Sequence, residues 1–367
     1  MAALVDSGDT VEAVTSILKV TRRCVEIAAF VSLAGCAGLQ PAVTGYDHVS
    51  VYYATTRQYD SKAPVDRAFT NTPTKNEFIN FGAAQVSVPL PHPEGVQKGI
   101  KVEKIEPPPK DGTKEFRDRT AAARSDPKKP LVVFVHGFNN SFESAAERAA
   151  MFSKDLQPDV SSKAAIFSWP SRGSLFGYLA DEDSVLVNQD RARQVLGVLR
   201  ASRESGAASS VVLIGHSMGC RVLTFALREI QLIDHQGAPP KIGHPVFAQL
   251  ILIEPDVDKE FFRINIGRLR AVCGHVTVYA SSHDNALRFS QWLHDDTREG
   301  ELGGQGLLKK IDVIDASAAK TDLIGHSYDG PQLFEDIRGI LHGETVDQRV
   351  GKTLERHSPG VYALAKR

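Results

Sequence analysis

Five short runs of apolar residues limit most strongly what this chain can fold into. They occupy residues 131–135, 164–168, 211–215, 249–253 and 276–280. Runs that are apolar on both faces are typical of central parallel strands that helices cover on both sides. Because helical stretches separate most of the runs, the order strand–helix–strand predicts an α/β protein with a mostly parallel central sheet. In such sheets the functional residues lie beyond the carboxyl ends of the strands.

Further segments extend the predicted sheet to about eight strands with helices on both faces. Stretches rich in β-branched, aromatic or alternating apolar residues indicate strands. These stretches occupy residues 49–56, 84–90 and 100–105, with an edge strand at 311–314. The main helices are expected over residues 144–156, 184–202, 220–231 and 331–341.

Residues 211–219 read VVLIGHSMG, so a G-x-S-x-G motif stands between a buried strand and a helix. This context is that of a nucleophile elbow, in which a strained turn presents a serine hydroxyl at the end of the sheet. Gly215 and Gly219 provide the minimal side chains that such a turn requires. The alternative is a turn in which Ser217 only caps the helix, and it leaves the other motifs unexplained. The pattern therefore predicts Ser217 as a nucleophile.

Two backbone N–H groups are expected to form an oxyanion hole beside Ser217. One belongs to Met218, the residue after the nucleophile, at the N-terminus of the following helix. The second comes from the loop after the 131–135 strand, which reads HGFNN over residues 136–140. Phe138 is the first candidate for this donor and Asn139 the second. A Gly-Asn turn with a buried aromatic side chain is compatible with the same role.

A serine nucleophile needs a base and an acid, and in this type of fold they follow it in the order acid, histidine. Of the 12 histidines, His326 is favoured because it lies in the loop between the last strand and the helix at 331–341. Asp284 follows the seventh strand, which is the usual position of the acid. Asp256 follows the sixth strand and also suits the N-cap of the next helix. Asp284 is therefore the predicted acid and Asp256 the alternative.

Five residues near the strand ends are candidates for a substrate pocket: His136, Asn139, Trp169, Arg172 and Tyr178. Arg172 suits an anionic group of a substrate, although an arginine in this position more often pairs with a nearby acid such as Asp181 or Asp183. The aromatic side chains at 169 and 178 suit an acyl pocket or the core equally well.

The N-terminus has the pattern of an export signal. Residues 21–36 read TRRCVEIAAFVSLAGC, in which two arginines precede a short apolar run that ends in small residues. The last four, LAGC, resemble the lipobox of bacterial lipoprotein signal peptides, whose cysteine carries the lipid; here that residue is Cys36. Glu26 interrupts the apolar run and residues 1–20 are an unusual preface. The alternative is therefore a short amphipathic helix followed by a Gly-rich linker.

Composition excludes some classes of function. The chain is 42% hydrophobic and 24% charged with a formal net charge of −1, and its basic residues form no block. Nucleic-acid binding therefore has no electrostatic support. The four cysteines form no CxxC pair and no cluster with histidines, so we expect no metal site. The chemistry predicted for Ser217 needs no cofactor.

Eight segments together resemble a known family: FVHGFNNSFE, FSWPSRG, GYLADED, IGHSMG, EPDVD, YASSHDNAL, VIDAS and GHSYD. The set is similar to a family of uncharacterised bacterial α/β hydrolases that is grouped with esterases and lipases, and VYYATTR at 51–57 resembles its usual beginning. The resemblance covers roughly residues 50–340 and implies the α/β-hydrolase fold. By this resemblance the nucleophile falls at Ser217, the acid at Asp284 and the histidine at His326.

The motifs and the resemblance together predict a serine hydrolase that cleaves a small-molecule ester or lipid. An amidase, a thioesterase or an acyltransferase would use the same residues, and a non-catalytic, envelope-tethered binding protein is the alternative from another class. The predicted regions are a lipoprotein signal at 1–36, a tether at 37–48, the hydrolase domain at 49–345 and a C-terminal tail at 346–367. The expected location is the bacterial cell envelope, with a lipid anchor in the membrane, or otherwise the cytoplasm.

Overall fold

A sheet of eleven strands organises the part of the chain that the structure describes. The structure is a computed structural model, and it describes residues 43–75, 78–124, 130–157, 163–171, 177–204, 211–234, 245–280, 311–317, 330–358 and 361–365. The predicted export signal, Cys36 and residues 37–42 of the predicted tether lie outside these residues, so the lipid anchor and the envelope location stay predictions.

The strands are, in chain order, β1 (Gly45–Thr55), β2 (Arg57–Tyr59), β3 (Phe69–Pro73), β4 (Asn80–Leu90), β5 (Lys101–Ile105), β6 (Leu131–Val135), β7 (Lys163–Ser168), β8 (Val211–His216), β9 (Phe247–Ile253), β10 (Cys273–Ala280), β11 (Ile311–Asp315), β12 (Leu354–Ser358) and β13 (Val361–Leu364). β2 and β3 form a separate antiparallel pair. The others form the sheet in the order β12-β13-β11-β10-β9-β8-β6-β7-β1-β4-β5.

Eight neighbouring strands, from β13 across to β1, run parallel to one another. Antiparallel strands complete both edges, with β12 beyond β13 and with β4 and β5 beyond β1. The prediction of an α/β-hydrolase fold with a mostly parallel sheet is therefore confirmed. The antiparallel edge strands make the sheet larger than the predicted eight or so.

Helices cover both faces of the sheet. They are α1 (Gly112–Ala123), α2 (Phe142–Leu156), α3 (Gly177–Glu204), α4 (Met218–Asp234), α5 (Lys259–Val272), α6 (Pro331–Leu341) and α7 (Val346–Arg349). The core between the sheet and α1, α3, α4 and α5 includes Val133 of β6, whereas its neighbour Phe134 belongs to the core on the face of α2 and α6. Successive residues of a strand point to opposite faces, which explains why the central strands are apolar throughout.

Residues 346–364 belong to the domain and not to a tail. β13 pairs in parallel with β11, and β12 closes this edge of the sheet. The side chain of Arg349 at the end of α7 is 1% exposed and ion-paired with Asp312 and Asp336. At the other boundary, β1 begins at Gly45, within the predicted tether. Among the described helices, none is both long enough and apolar enough to cross a bilayer.

Candidate active site

Ser217 lies on the sharp turn between β8 and α4, at the carboxyl edge of the sheet. Its φ is +51°, in the left-handed region that residues with side chains rarely adopt and that is found preferentially at functional sites. The Ser217 N–H donates to the carbonyl of Ile253 at 3.0 Å, and its own carbonyl accepts from the Cys220 N–H at 3.0 Å. β9 and the first turn of α4 therefore hold the strained residue in place.

The two glycines of the motif allow close backbone approach at this turn. A Cβ on Gly219 would overlap the carbonyl oxygen of Val135, at the end of β6. A Cβ on Gly215 would lie 3.0 Å from the Cα of Cys220. The elbow packs directly against the neighbouring strand end, and a larger residue at either position would move the serine.

The loop after β6 packs against Ser217. A Cβ on Gly137 would lie 2.9 Å from the Cβ of Ser217, so the loop has space only for a glycine there. Asn139 has a φ of +55°. Its N–H donates to Ser171 Oγ at 2.8 Å, and that hydroxyl donates to a carboxylate oxygen of Asp181 at 2.5 Å. The Asn139 N–H is thus engaged in this chain of hydrogen bonds, and the oxyanion roles of Phe138 and Asn139 stay predictions.

The two predicted oxyanion donors are the backbone N–H groups of Met218, which follows Ser217, and Phe138, which follows Gly137. Met218 is the first residue of α4, and the first N–H groups of a helix have no carbonyl partner within it. The partial positive charge at that helix end favours an anion. Phe138 follows Gly137 directly, and its carbonyl accepts from the Asn140 side chain at 2.8 Å, which fixes the orientation of the peptide group after it.

His136 is a structural residue of this loop. Its side chain stacks on Trp169 with ring centroids 5.1 Å apart. The His136 Nδ1 lies 2.8 Å from the carbonyl oxygen of Gly137, and Nε2 accepts from the backbone N–H of Trp169 at 3.1 Å. This pattern requires the neutral tautomer with the proton on Nδ1. Burial, together with the positive charge of Arg57, lowers the pKa of His136 from 6.5 to about 3. His136 therefore does not exchange protons in the neutral range.

Comparison of the sequence with models of known protein families gives one match. The sequence model of a family described as "Alpha/beta hydrolase of unknown function (DUF900)" matches residues 113–330, more than half of the chain. The chain belongs to this family. The match confirms the resemblance read from the motifs and makes the protein an α/β hydrolase; the family description assigns no substrate.

Two other comparisons add little about this α/β hydrolase. A comparison with curated proteins gives no match. A comparison with solved structures finds a Trichoderma reesei cutinase in complex with a C11Y4 phosphonate inhibitor, at 14% identity and a TM-score of 0.31, covering 64% of this chain and 90% of the cutinase chain. A likeness this distant supports no inference about substrate or mechanism.

The remaining predicted site residues of the α/β hydrolase divide into two groups. Asp284, His326, Arg172 and the side chain of Tyr178 lie outside the described residues, so their roles stay predictions. Asp256 is described. Its N–H donates to the Ser217 carbonyl at 3.3 Å and its carboxylate pairs with Arg221 at 3.0 Å. The N-cap of α5 is Asp258, which accepts from Phe261 N–H, so the capping role suggested for Asp256 is wrong.

A cleft of about 230 Å³ opens at the same edge of the sheet. It is lined by Thr56, Asn71, Pro73, Thr74, Pro170, Asp183, Ser184, Val187, Asn188 and Arg191. Pro170 follows β7 and Thr56 follows β1, two neighbouring strands of the parallel part of the sheet. His136 and Trp169 are 1% and 0% exposed and belong to the interior. Neither lines this cleft, whereas Asn139 is exposed beside the elbow.

Two cysteines of the described residues are free and buried, Cys220 and Cys273. Burial raises the pKa of the Cys220 thiol well above its usual value and that of Cys273 to about 12. Neither is a thiolate at neutral pH, so Cys220 is no rival to Ser217 as nucleophile. Within the described residues, no three histidines, cysteines or carboxylates come together in a way that would hold a metal ion.

Sequence reasoning missed a buried polar framework around the loop. Its members are Arg57, Asn140, Ser168, Ser171 and Asp181. The signal available was weak: Arg57 ends the segment VYYATTR two residues after β1, and a lone arginine at a strand end is usually exposed.

Proposed function

We propose that this α/β hydrolase cleaves carboxylic esters through an acyl intermediate on Ser217. The observation that carries the proposal is the strained backbone of Ser217 on a strand–helix turn, with φ at +51°. Backbone strain of about 1–3 kcal/mol persists only where the surroundings enforce it, and such sites are typically functional.

The proposed mechanism uses the residues that the sequence motifs predict. Ser217 Oγ attacks the ester carbonyl, and His326 accepts the hydroxyl proton and then gives it to the leaving alcohol. Asp284, or Asp256 in its place, orients His326 and stabilises its charged form. The N–H groups of Met218 and Phe138 hold the oxyanion of the tetrahedral intermediate. A water molecule, activated by His326, then releases the acid and restores the serine.

The test is hydrolysis of p-nitrophenyl acetate, butyrate, octanoate and palmitate by the full chain and by Ser217→Ala. Removal of the nucleophile is expected to lower kcat by about a millionfold, to background. Ser50→Ala is the matched control, because Ser50 is also half-buried but lies in the middle of β1; its rate should equal that of the wild type.

The chain length that reacts fastest would measure the acyl pocket. Equal rates for the wild type and Ser217→Ala would refute the proposal. p-Nitroanilides and thioesters, assayed in parallel, distinguish an esterase from an amidase or a thioesterase on the same serine.

A further inference from the structure

Arg57 is a buried cation beside the candidate active site. Its side chain is 0% exposed where β1 ends and β2 begins. Nε donates to Ser168 Oγ at 2.9 Å, one terminal nitrogen donates to the Asn140 carbonyl at 2.6 Å, and the other donates to the Asn71 side-chain oxygen. All three acceptors are neutral. Within the described part of the chain, no carboxylate hydrogen-bonds this guanidinium.

A buried charge whose hydrogen-bond partners are all neutral is costly, so it calls for a reason. Burial lowers the pKa of Arg57 to about 10, with Glu143 and Asp181 opposing the shift through space. The guanidinium is therefore still charged at neutral pH. Its field acts in a region from which water is excluded, where a charge has more effect than at the surface.

Arg57 also tethers the loop that packs against the nucleophile. It holds the carbonyl of Asn140, while the preceding N–H, that of Asn139, is held by Ser171 and, behind it, by the buried carboxylate of Asp181. A cation and an anion thus fix two adjacent residues of the loop. Gly137, where an added Cβ would lie 2.9 Å from the Cβ of Ser217, is three positions from Asn140.

We propose that Arg57 is a positioning residue for the transition state. It holds the 136–141 loop so that the Phe138 N–H points at the oxyanion, and its positive charge favours the negative charge that forms there. Donors fixed in advance contribute to catalysis because they need no reorganisation during the reaction. This inference rests on the proposed esterase function, since the oxyanion belongs to that reaction.

The test compares Arg57→Lys and Arg57→Gln with the wild type in the full chain. Lysine keeps the charge but cannot reproduce the three-way fork of the guanidinium, and glutamine removes the charge. We measure kcat per active site, titrated with a fluorophosphonate, together with KM and the melting temperature. We expect kcat per site to fall about tenfold for lysine and by about 10²–10³ for glutamine, the range observed on loss of one oxyanion donor, with KM little changed.

Asn80→Ala is the matched control, because the Asn80 side chain donates only to the backbone carbonyl of Arg57 at 2.9 Å, so its loss leaves the guanidinium hydrogen bonds to Ser168, Asn71 and Asn140 in place. Its kcat per site should stay close to that of the wild type. A purely structural role for Arg57 would lower the fraction of titratable sites and the melting temperature but leave kcat per remaining site unchanged. That outcome would overturn the proposal.

A second measurement does not depend on ester chemistry. Amide hydrogen exchange over residues 136–142 should be faster in Arg57→Gln than in the wild type, while exchange in α4 stays the same. If the wild type neither hydrolyses esters nor reacts with the fluorophosphonate, the esterase proposal fails. Amide hydrogen exchange then tests on its own whether Arg57 holds the 136–141 loop in place. Equal protection of the loop in both proteins would refute that role.

Discussion

At the scale of single residues, the chemistry depends on backbone positions that only a few residue types tolerate. Ser217 and Asn139 both have positive φ, and a third such residue, Glu254, follows β9 at the same edge of the sheet. Its N–H donates to the carbonyl of Tyr279 at 2.9 Å. Backbone strain persists only where the surrounding contacts enforce it, and strained residues cluster at functional sites. Three such residues at one edge of the sheet are therefore consistent with a preorganised site there.

The buried neutral state of His136 makes a prediction about acid stability. The pKa of His136 is about 3 in the folded protein against 6.5 ordinarily, so between these values the unfolded chain binds the additional proton. The stabilisation is therefore present above pH 6.5 and is lost as the pH falls towards 3. Between pH 7 and pH 4 this residue should remove about 3 kcal/mol from the free energy of unfolding, at about 1.4 kcal/mol per pKa unit.

Urea unfolding at the two pH values measures this effect. Asparagine at position 136 cannot titrate. The change in the free energy of unfolding between pH 7 and pH 4 should therefore be smaller in His136→Asn than in the wild type, by about 3 kcal/mol. His48→Asn is the control, since His48 is exposed on β1, and its difference should match that of the wild type. A His136→Asn variant with the full wild-type difference would contradict the assigned protonation state.

The candidate site was predictable from sequence only where a motif fixes the backbone. The G-x-S-x-G pattern identifies Ser217 and both glycines, because strand, turn and helix leave few arrangements. Trp169 was ambiguous, since an aromatic residue after a strand suits a pocket or the core. Arg57 was missed because its role depends on partners 83 and 111 positions away in the chain, which no local pattern encodes.

At the scale of elements, Gly219 makes a sharp prediction about the elbow. Gly219→Ala should destabilise the protein by about 3 kcal/mol, the upper range for overpacking, and should abolish ester hydrolysis, because the new Cβ overlaps the Val135 carbonyl. Gly197→Ala is the matched control: Gly197 lies in α3 and its Cβ would have open space. That change should stabilise the helix by about 0.5–1 kcal/mol and leave activity unchanged. Urea unfolding and ester hydrolysis are measured on both variants. A Gly219→Ala protein with wild-type stability and activity would contradict the close approach of Gly219 to the Val135 carbonyl.

Element prediction worked best for buried strands. The five apolar runs all appear as central strands, because burial on both faces imposes a continuous apolar pattern. β12 was missed since its sequence, LERHS, is mostly polar and exposed on an edge strand. β13 is a run of only four residues, VYAL, beyond the expected end of the domain.

At the scale of the whole molecule, one buried arginine joins the C-terminal segment to the sheet. Arg349 pairs with Asp336 of α6 and Asp312 of β11, and Asp336 also accepts from the Tyr279 hydroxyl at 2.7 Å. Arg349→Met should lower the free energy of unfolding by about 3–5 kcal/mol, because it leaves two buried carboxylates without their cation.

The control for Arg349 is Arg356→Met. Arg356 pairs with Asp347 at 2.6 Å, but both side chains are more than half exposed, and such pairs contribute at most about 1 kcal/mol. Urea unfolding of the two variants should therefore separate them clearly. Equal stabilities would contradict the role assigned to the buried Arg349.

The most direct test of the central claim is to find which residue a fluorophosphonate modifies in the intact chain. Mass spectrometry of the digested adduct should place the phosphonyl group on Ser217, and Ser217→Ala should remain unlabelled while Ser50→Ala labels fully. Labelling of the wild type at another residue, or esterase activity that persists without any label on Ser217, would contradict the assignment of Ser217 as the nucleophile.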